Sequence, residues 1–227
     1  MIRQIKIAIT DFLKLFIIYL PGETGRKIRY WYYKKKFKRC GNNLKIEEGV
    51  IITNPEWISI GENVWIDRYS LLTAGPLNLH KLTFCKEKKN KDFLYQEGDL
   101  IIEDNVHISP FCTLLAHGGI YIGKNSGIGN GVKIFSITTL SNNPRDQNQI
   151  IYTSAQNPKT VCRKGAVVLG ENIAASLYSV YLPGISIGKN SGVYPLSVVF
   201  TSFPENSYLR GNPAKKIKDR FNNATNI

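Results

Sequence analysis

Aliphatic side chains recur at every sixth position through most of this chain. A helix would repeat every 3.6 residues and a simple strand every second residue, so a strict period of six fits neither. The period is typical of a parallel β-helix, in which three hexapeptides close a triangular coil and inward side chains stack from coil to coil. We predict an all-β solenoid of about five coils, after a rougher turn at Ile46 and Ile52. The predicted inward series is Ile60, Ile66, Leu72; Ile102, Ile108, Leu114; Ile122, Ile128, Ile134; Leu169, Ala175, Tyr181; and Ile187, Val193, Val199.

Glycine and asparagine recur at fixed positions within these hexapeptides. Gly often follows the aliphatic residue directly and Asn stands three positions after it, as in "IGENVWID" and "IGKNSGIG". Both residue types accept the positive φ that a tight turn requires. We therefore expect them at the corners of the coils.

Two interruptions of the period define the organisation. The expected segments are a basic amphipathic helical segment, the β-helix with two insertions, and a C-terminal tail: residues 1–43, 44–204 with insertions at about 76–99 and 139–166, and 205–227. The insertions begin at nearly the same position of their coils, and His117 holds that position in the coil between them. Since coils stack about 4.8 Å apart, the three features are predicted to share one corner of the prism.

The positive charge is concentrated near the N-terminus. The formal net charge is +13, and residues 1–45 hold twelve Lys or Arg against two acidic residues. Such a patch favours an anionic partner. The uninterrupted apolar run Phe16–Leu20 is far shorter than the roughly 20 residues that span a bilayer, and no signal-peptide cleavage site follows it.

Two interpretations of the N-terminal segment remain open. Residues 1–39 form either a peripheral membrane-binding helix, with Trp31, Tyr32 and Tyr33 at headgroup depth, or a helical cap packed on the domain with solvated lysines. The first would place the protein at the inner face of the membrane. We expect no nucleic-acid partner, because no recognisable binding module accompanies the charge.

The cysteines and histidines show no metal-binding spacing. Cys40, Cys85, Cys112 and Cys162 contain no C-x-x-C pair, and the histidines at 80, 107 and 117 are scattered. We predict four reduced thiols in a cytoplasmic protein and no metal site.

The chain resembles the hexapeptide-repeat acyltransferases over about residues 20–220, through the repeat phrases, "LPGISIGKNS" and the tail "PENSYLRGNPAKKIK". Within that family, the chain is most similar to the sugar O-acetyltransferases of bacterial surface polysaccharides. The resemblance implies a left-handed parallel β-helix, a homotrimer, acetyl-CoA as acyl donor without a metal, and a sugar acceptor. A short C-terminal helix is expected after the last coil.

The resemblance also implies a catalytic histidine, and His117 is the candidate. In similar enzymes the base follows a phrase like I-Y-S-x-T-H, but "IFSITTLSNNP" places Thr139 at that position, and threonine is not a base at neutral pH. Serine acetyltransferases have a catalytic histidine in a phrase similar to "AHGGIYIG", which points to His117. Histidine suits proton removal near neutral pH. We read His107 as a solvated or interface residue, because its register places it on another face.

Substrate-binding residues are expected in the second insertion and near the end of the solenoid. Candidates for the acceptor sugar are Thr139, Asn142, Asn143, Arg145 and Asp146, unless the insertions are merely solvated excursions. Candidates for the coenzyme are Lys215, Lys218 and Thr201.

Departures from the family pattern leave two alternatives. The missing histidine at Thr139 is compatible with an inactive homologue that serves as a binding or scaffold trimer. Ala174-Ala175-Ser176 and Val193-Tyr194-Pro195-Leu196 replace the small-residue phrases W-I-G and I-G-A-G that line the coenzyme arm. A different acyl group or carrier would also explain that change.

Overall fold

The computed structural model describes residues 12–77, 84–140, 142–143, 146–150 and 161–221, most of them in a solenoid of short parallel strands. Six triangular coils are present, and we number the strands β1 to β25 in chain order. This confirms the predicted left-handed parallel β-helix.

Each coil contributes one strand to each of three faces. The first face contains β1 (Arg39–Cys40), β4 (Ile58–Ile60), β8 (Leu100–Ile102), β11 (Ile120–Ile122), β18 (Val167–Leu169) and β21 (Ser186–Ile187). The second contains β2 (Lys45–Ile46), β5 (Trp65–Ile66), β9 (His107–Ile108), β12 (Gly127–Ile128), β19 (Ala174–Ala175) and β22 (Gly192–Val193). The third contains β3 (Ile51–Thr53), β6 (Leu71–Thr73), β10 (Thr113–Leu115), β13 (Lys133–Phe135), β20 (Val180–Tyr181) and β23 (Val198–Val199).

The remaining elements lie in the insertions and at the ends. The insertions supply β7 (Phe84–Glu87), β14 (Ile137–Thr139), β15 (Asn142–Asn143), β16 (Asp146–Ile150) and β17 (Val161–Lys164). The ends supply helix α1 (residues 12–19), α2 (Gly22–Lys34), β24 (Ser207–Gly211) and β25 (Ala214–Asp219), and a 3-10 turn spans Pro55–Trp57.

The six-residue period forms the core as predicted. Every residue of the inward series is at most 2% exposed. Neighbouring coils are in register, so that Ile60, Ile102 and Ile122 stack on one another along the first face. Each large side chain therefore fills the space between its counterparts in the coils above and below, as close packing requires.

Asparagine and glycine serve different purposes at the turns. The Asn residues at the corner between the first and second faces all have positive φ, and hydrogen bonds between side-chain amides connect most of them from coil to coil. These residues are Asn43, Asn63, Asn105, Asn125, Asn172, Asn190 and Asn206. The Gly residues of the repeat, however, do not have positive φ. A Cβ at Gly123 would lie 2.5 Å from the backbone of Gly170 in the next coil. Close approach of successive coils, and not φ, requires glycine there.

The N-terminal segment closes the end of the solenoid. Arg29 of α2 is fully buried and donates hydrogen bonds to the carbonyls of Ile46 at 2.7 Å and Leu20 at 2.7 Å. Tyr33 and Phe37 join the core cluster beneath it. Helix α2 thus packs on the domain, as one of the two interpretations predicted. In α1, Ile17 and Ile18 are partly buried, whereas the other apolar side chains are exposed.

The C-terminal segment forms a hairpin, and the expected short helix is absent from residues 205–221, the part of this segment that the structure describes. Strand β24 extends the second sheet beside β22, and β25 returns antiparallel to it. Gly211 (φ 106) and Pro213, which follows a cis peptide bond, form the turn. Both residue types interrupt helices, and Ser207 and Leu209 alternate with more exposed neighbours as a strand requires.

Two of the four cysteines are bonded, so the prediction of four reduced thiols is wrong. Cys85 on β7 pairs with Cys162 on β17, with their Cα atoms 4.5 Å apart. The two insertions form parallel strands whose register places these residues opposite each other. Because 77 residues separate the two cysteines, no local spacing in the sequence indicated the pair.

Alkylation should distinguish the four cysteines. We expect iodoacetamide at pH 8 to label Cys40 slowly and to leave Cys112 unlabelled in the native protein. Cys112 is 1% exposed, and burial raises the pKa of its thiol to about 11, so little reactive thiolate forms. Intact-mass spectrometry should show two labels after unfolding without reductant and four with reductant. Four labels without reductant would show that Cys85 and Cys162 are not bonded.

Candidate functional site

His117 lies where both insertions leave the solenoid. The first insertion follows β6 and the second follows β13, and His117 connects β10 to β11 in the coil between them. All three belong to the corner between the third and first faces. The predicted common corner is therefore present.

The imidazole of His117 is held by one backbone carbonyl. Its Nδ1 lies 2.8 Å from the carbonyl oxygen of Gly75, at the start of the first insertion. A carbonyl only accepts hydrogen bonds, so Nδ1 carries the proton and Nε2 keeps its lone pair. Gly75 itself has φ 85, which favours glycine at this point. The side chain is half-buried, and its geometry suits an oriented general base.

The backbone beside His117 is fixed from the neighbouring coil. Gly118 N–H donates to Ser136 Oγ at 2.8 Å, and Ser136 Oγ donates to the Leu115 carbonyl at 2.6 Å. Gly119 N–H donates to the Ala116 carbonyl at 2.8 Å. These amides are therefore already bonded, and an oxyanion would need donors from elsewhere.

Replacing Ser136 with alanine should destabilise this corner. Ser136 is fully buried, and its loss leaves the Gly118 amide without its acceptor, which costs about 1–3 kcal/mol. We expect a lower melting temperature and reduced turnover, because His117 adjoins the released backbone. Thr138→Ala, on β14 and less buried, is the matched control and should change stability by less than about 0.5 kcal/mol. Equal melting temperatures for Ser136→Ala and wild type would contradict this role.

The two insertions form one small sheet. Strand β17 pairs parallel with β7 and antiparallel with β14, where Thr139 lies opposite Cys162. Thr139 is exposed, three residues beyond Ser136, or about 10 Å along an extended strand. The predicted residues Asn142, Asn143 and Asp146 have their backbone in the β15–β16 hairpin. Arg145 lies outside the described residues.

An open groove lies on the second face. It has a volume of about 310 Å³, and its floor includes Gly127, Gly129 and Ala174. Arg220 lines it and is held by the carbonyls of Asn172 and Ser191. A Cβ on Gly127 would meet nothing within 4 Å. The groove lies on the face opposite the corner that holds His117.

The predicted coenzyme residues do not lie together. Lys215 and Lys218 are exposed on β25, which extends the second sheet, and Lys218 Nζ lies 5.4 Å from the ring centroid of Tyr208. Thr201 is exposed after β23, at the corner between the third and first faces. Tyr194, which the sequence placed in the altered floor, packs on Tyr208 with ring centroids 4.6 Å apart.

The other histidines do not join the site. His107 lies on the second face, away from the insertions as expected. Its ring stacks on that of Trp65, with the ring centroids 4.7 Å apart. His80 lies outside the described residues. Among the residues that the structure describes, no group of three or more potential metal ligands occurs.

Sequence reasoning missed Ser136 and the carbonyl of Gly75. Ser136 follows Ile134 by two residues, so its side chain is expected to point inward as well. A polar side chain at an inward position usually makes a buried hydrogen bond. The buried role of Ser136 could therefore have been predicted. A backbone carbonyl carries no residue-specific signal, so the hydrogen-bond partner of His117 could not be predicted.

No family model matches the chain. The Escherichia coli protein named dTDP-4-amino-4,6-dideoxy-D-glucose acyltransferase is 26% identical over 184 residues, which cover 81% of this chain and 83% of that protein. A mutant of AntD, an N-acyltransferase from Bacillus cereus solved with dTDP-4-amino-4,6-dideoxyglucose and coenzyme A, has a TM-score of 0.64 at 21% identity, over 86% of this chain and 90% of AntD. A hexapeptide-repeat acetyltransferase from Vibrio cholerae, solved with acetyl coenzyme A, has a TM-score of 0.57 at 16% identity, over 93% of this chain and 85% of that one. The hexapeptide register, the coils and these likenesses support the resemblance of the chain to the hexapeptide-repeat acyltransferases.

Proposed function

We propose that this protein transfers an acyl group, acetyl in the simplest case, from coenzyme A to a sugar hydroxyl of a bacterial surface polysaccharide or its lipid-linked precursor. The observation that carries the proposal is the orientation of His117 by the Gly75 carbonyl, 2.8 Å away. This leaves Nε2 as a base at the corner where both insertions begin. The likeness to acyltransferases that act on sugars supports the same conclusion.

The reaction needs one proton acceptor. Nε2 of His117 removes the proton of the sugar hydroxyl while its oxygen attacks the thioester carbonyl carbon. A new C–O bond forms, and the C–S bond breaks as the tetrahedral intermediate collapses. The proton then passes from the imidazolium to the departing thiolate of coenzyme A, which returns His117 to its starting state. The acceptor loses one proton and gains one acyl group.

The coenzyme is proposed to lie in the groove on the second face. Its floor of Gly127, Gly129 and Ala174 suits the narrow pantetheine arm, and Arg220 offers a positive charge. Lys215 and Lys218 on the adjoining hairpin are placed to attract the nucleotide phosphates. Since the groove faces away from His117 in one chain, a homotrimer in which neighbours share each site fits this arrangement better than an isolated chain.

The first insertion favours a phosphate-bearing acceptor. Together with the second insertion it forms a cavity of about 320 Å³ beside Gly118. The charged residues that line this cavity are Lys88, Lys89, Lys91, Lys164, Glu87 and Glu97. Lys164 is paired with Glu97 at 2.6 Å. Burial, together with Arg163 nearby, lowers the pKa of Lys88, and a bound anion would offset both effects. A lipid-linked sugar carries such a phosphate, and Thr139, Asn142, Asn143, Arg145 and Asp146 remain the proposed sugar contacts.

The test combines binding and turnover. We expect acetyl-CoA to raise the melting temperature of the full chain, and mass spectrometry to detect an acetylated, phosphate-linked sugar and free coenzyme A. The free sugar should be a poorer acceptor than its phosphate-linked form. No thermal shift at millimolar acetyl-CoA, and no release of coenzyme A with any acceptor, would favour an inactive homologue.

A second candidate activity is N-acylation of a nucleotide-linked amino sugar. The names of the Escherichia coli relative and of the Bacillus cereus structure favour it. An amine is a stronger nucleophile than a hydroxyl, so this reaction depends less on a base. Assaying a 4-amino sugar nucleotide beside its 4-hydroxy counterpart distinguishes the two, because transfer to the amine alone would exclude O-acylation.

We also propose that helix α1 binds an anionic membrane surface, which would place the protein at the inner face of the cytoplasmic membrane. Phe12, Leu13, Leu15, Phe16 and Tyr19 are each more than half exposed. The neighbouring helix α2 is rich in lysine and arginine and leaves Trp31 62% exposed. Apolar side chains flanked by cations are typical of interfacial helices. Within the described residues, no helix has the length and hydropathy to cross a bilayer.

Flotation with anionic vesicles tests the membrane proposal. The full chain should float with the vesicles, and the double variant Phe12→Ser/Phe16→Ser should not. Leu94→Ser removes a leucine that is 85% exposed in the first insertion, and it should float like wild type. Equal flotation of the double variant would reject the proposal. Substitutions are preferable to deletion of residues 1–43, because Tyr33 and Phe37 belong to the core.

A further inference from the structure

A buried carboxylate stands where the first insertion returns to the solenoid. Asp99 immediately precedes β8 and is 1% exposed. Among the residues that the structure describes, it forms an ion pair with Lys38, whose Nζ lies 2.9 and 3.0 Å from its two oxygens. A buried pair of this kind is weak evidence for stability, because desolvation offsets much of the attraction. The pair is better explained by the part of the chain that it holds in place.

Asp99 organises the last turn of the insertion. Its Oδ2 accepts a hydrogen bond from the Gln96 N–H at 3.1 Å, and its own N–H donates to the Gln96 carbonyl at 3.0 Å. Its carbonyl accepts from the Ile120 N–H at 2.9 Å, on the next strand of the first face. The side chain and the backbone of Asp99 together fix the turn of residues 96–99 against that face.

The turn closes the neck of the insertion, which we define as Gly75 and Gly98. The Gly98 carbonyl accepts from the Gly75 N–H at 2.8 Å, and both residues are buried. The two segments cross closely, since a Cβ on Gly98 would lie 2.4 Å from the nitrogen of Pro76. The Gly75 carbonyl in turn lies 2.8 Å from Nδ1 of His117. Gly75 is therefore held by the turn on one side, and it holds the imidazole on the other.

We infer that Lys38 and Asp99 are positioning residues for His117. The connection runs from the ion pair to the turn of residues 96–99, from that turn to the neck, and from the neck to Nδ1 of the imidazole. Lys38 follows helix α2, so a residue of the N-terminal segment contributes to the geometry of the distant corner. The inference rests on the proposed function where it concerns catalysis, and on the contacts alone where it concerns the imidazole.

A second ion pair on the same turn is more exposed. Lys164 of β17 lies 2.6 Å from Glu97, and the side chain of Glu97 is 43% exposed. Exposed pairs of this kind contribute little. The side chain of Asp99 is 2% exposed, and a buried carboxylate that loses its cation must find new partners or water. Removal of Lys38 should therefore displace the turn.

The position of Gly75 decides which nitrogen of His117 carries the proton. A neutral imidazole has one N–H, and an acceptor at Nδ1 keeps the proton there and leaves the lone pair on Nε2. Without that acceptor, the neutral side chain favours the proton on Nε2. A displaced neck would thus place a proton on the nitrogen that acts as the base.

Nitrogen-15 NMR of the full chain, labelled at its three histidines, tests the positioning. The shifts of the ring nitrogens report the tautomer at alkaline pH, where imidazole is neutral, and His117→Asn identifies the signals of His117. Wild type should carry the proton on Nδ1. Lys38→Met should move it towards Nε2, whereas Lys38→Arg, which keeps a cation for Asp99, should not.

Two further variants complete the test. Asp99→Asn keeps the shape of the side chain without its charge and lets Lys38 return to water, so it should fold and should also move the proton towards Nε2. Lys124→Met is the matched control, because it breaks an ion pair with Asp104, 3.2 Å long, away from the neck, and it should match wild type. A proton on Nε2 in wild type, or a wild-type tautomer in Lys38→Met or Asp99→Asn folded by circular dichroism, would overturn the inference.

Turnover separates this inference from the proposed function. In an active enzyme, Lys38→Met should lower kcat by about 10- to 100-fold, as displaced catalytic groups do, with KM for acetyl-CoA unchanged. A moved proton in a protein that transfers no acyl group supports the positioning and counts against the proposed function. A moved proton with unchanged kcat supports the positioning and excludes His117 as the base.

Discussion

His117→Asn is expected to lower the rate of acyl transfer by about 10²- to 10⁴-fold, the usual contribution of a positioned general base. The amide of Asn can still donate to the Gly75 carbonyl, which His117 contacts at 2.8 Å, so the backbone should keep its conformation. Asn has no lone pair basic enough to accept the acceptor proton. The loss should therefore appear in kcat, with the affinity for acetyl-CoA and the mass of the assembly unchanged.

Turnover of His117→Asn equal to wild type would exclude His117 as the base. In that case Thr139, where similar enzymes place their histidine, would still not supply one.

Arg29→Ala is expected to lower the free energy of unfolding by about 3 kcal/mol, since hydrogen bonds from a charged group contribute roughly 1.5–3 kcal/mol each. Arg29 is fully buried and bonds the carbonyls of Ile46, Ile17 and Leu20. Burial lowers the pKa of its guanidinium. Its removal takes a donor from each of these carbonyls and weakens the attachment of α1 and α2 to the first coil, where Tyr33 and Phe37 still pack in the core.

The measurement for Arg29→Ala is chemical denaturation combined with limited proteolysis. Cleavage within residues 12–38 should become faster, while the coils beyond them stay resistant. Lys27→Ala is the control on the same helix, because Lys27 is exposed, and it should change the free energy of unfolding by less than about 0.5 kcal/mol. Equal protease resistance of wild type and Arg29→Ala would mean that Arg29 does not hold the helices in place.

The core of this fold was predictable because its signal is periodic. Ile60, Ile102 and Ile122 stack on one another because each coil repeats the same geometry, so one register fixed the faces, the corners and the position of His117. The reason given for glycine was partly wrong. Gly123 serves close approach to Gly170, a constraint set by the neighbouring coil and not by its own φ.

Contacts between distant segments were not predictable in the same way. Cys85 and Cys162 meet because the two insertions pair, and neither insertion contains a repeat that would reveal it. The positive φ of Tyr69 and Phe111 was also hidden, since aromatic residues at these positions follow no rule for turns. The C-terminal hairpin was missed although Gly211 and Pro213 argued against a helix.

The pairing of the insertions has a consequence for how such enzymes diverge. A solenoid tolerates loops of any length at its corners, because the inward stack does not change. Here β7 and β17 form one sheet, and a disulfide joins them. Replacing the second loop alone would leave β7 unpaired, and replacing the first would leave β17 paired with β14 only. Under the proposed function, in which the insertions contact the acceptor, acceptor preference should therefore be inherited, and transplanted between relatives, as a two-loop module.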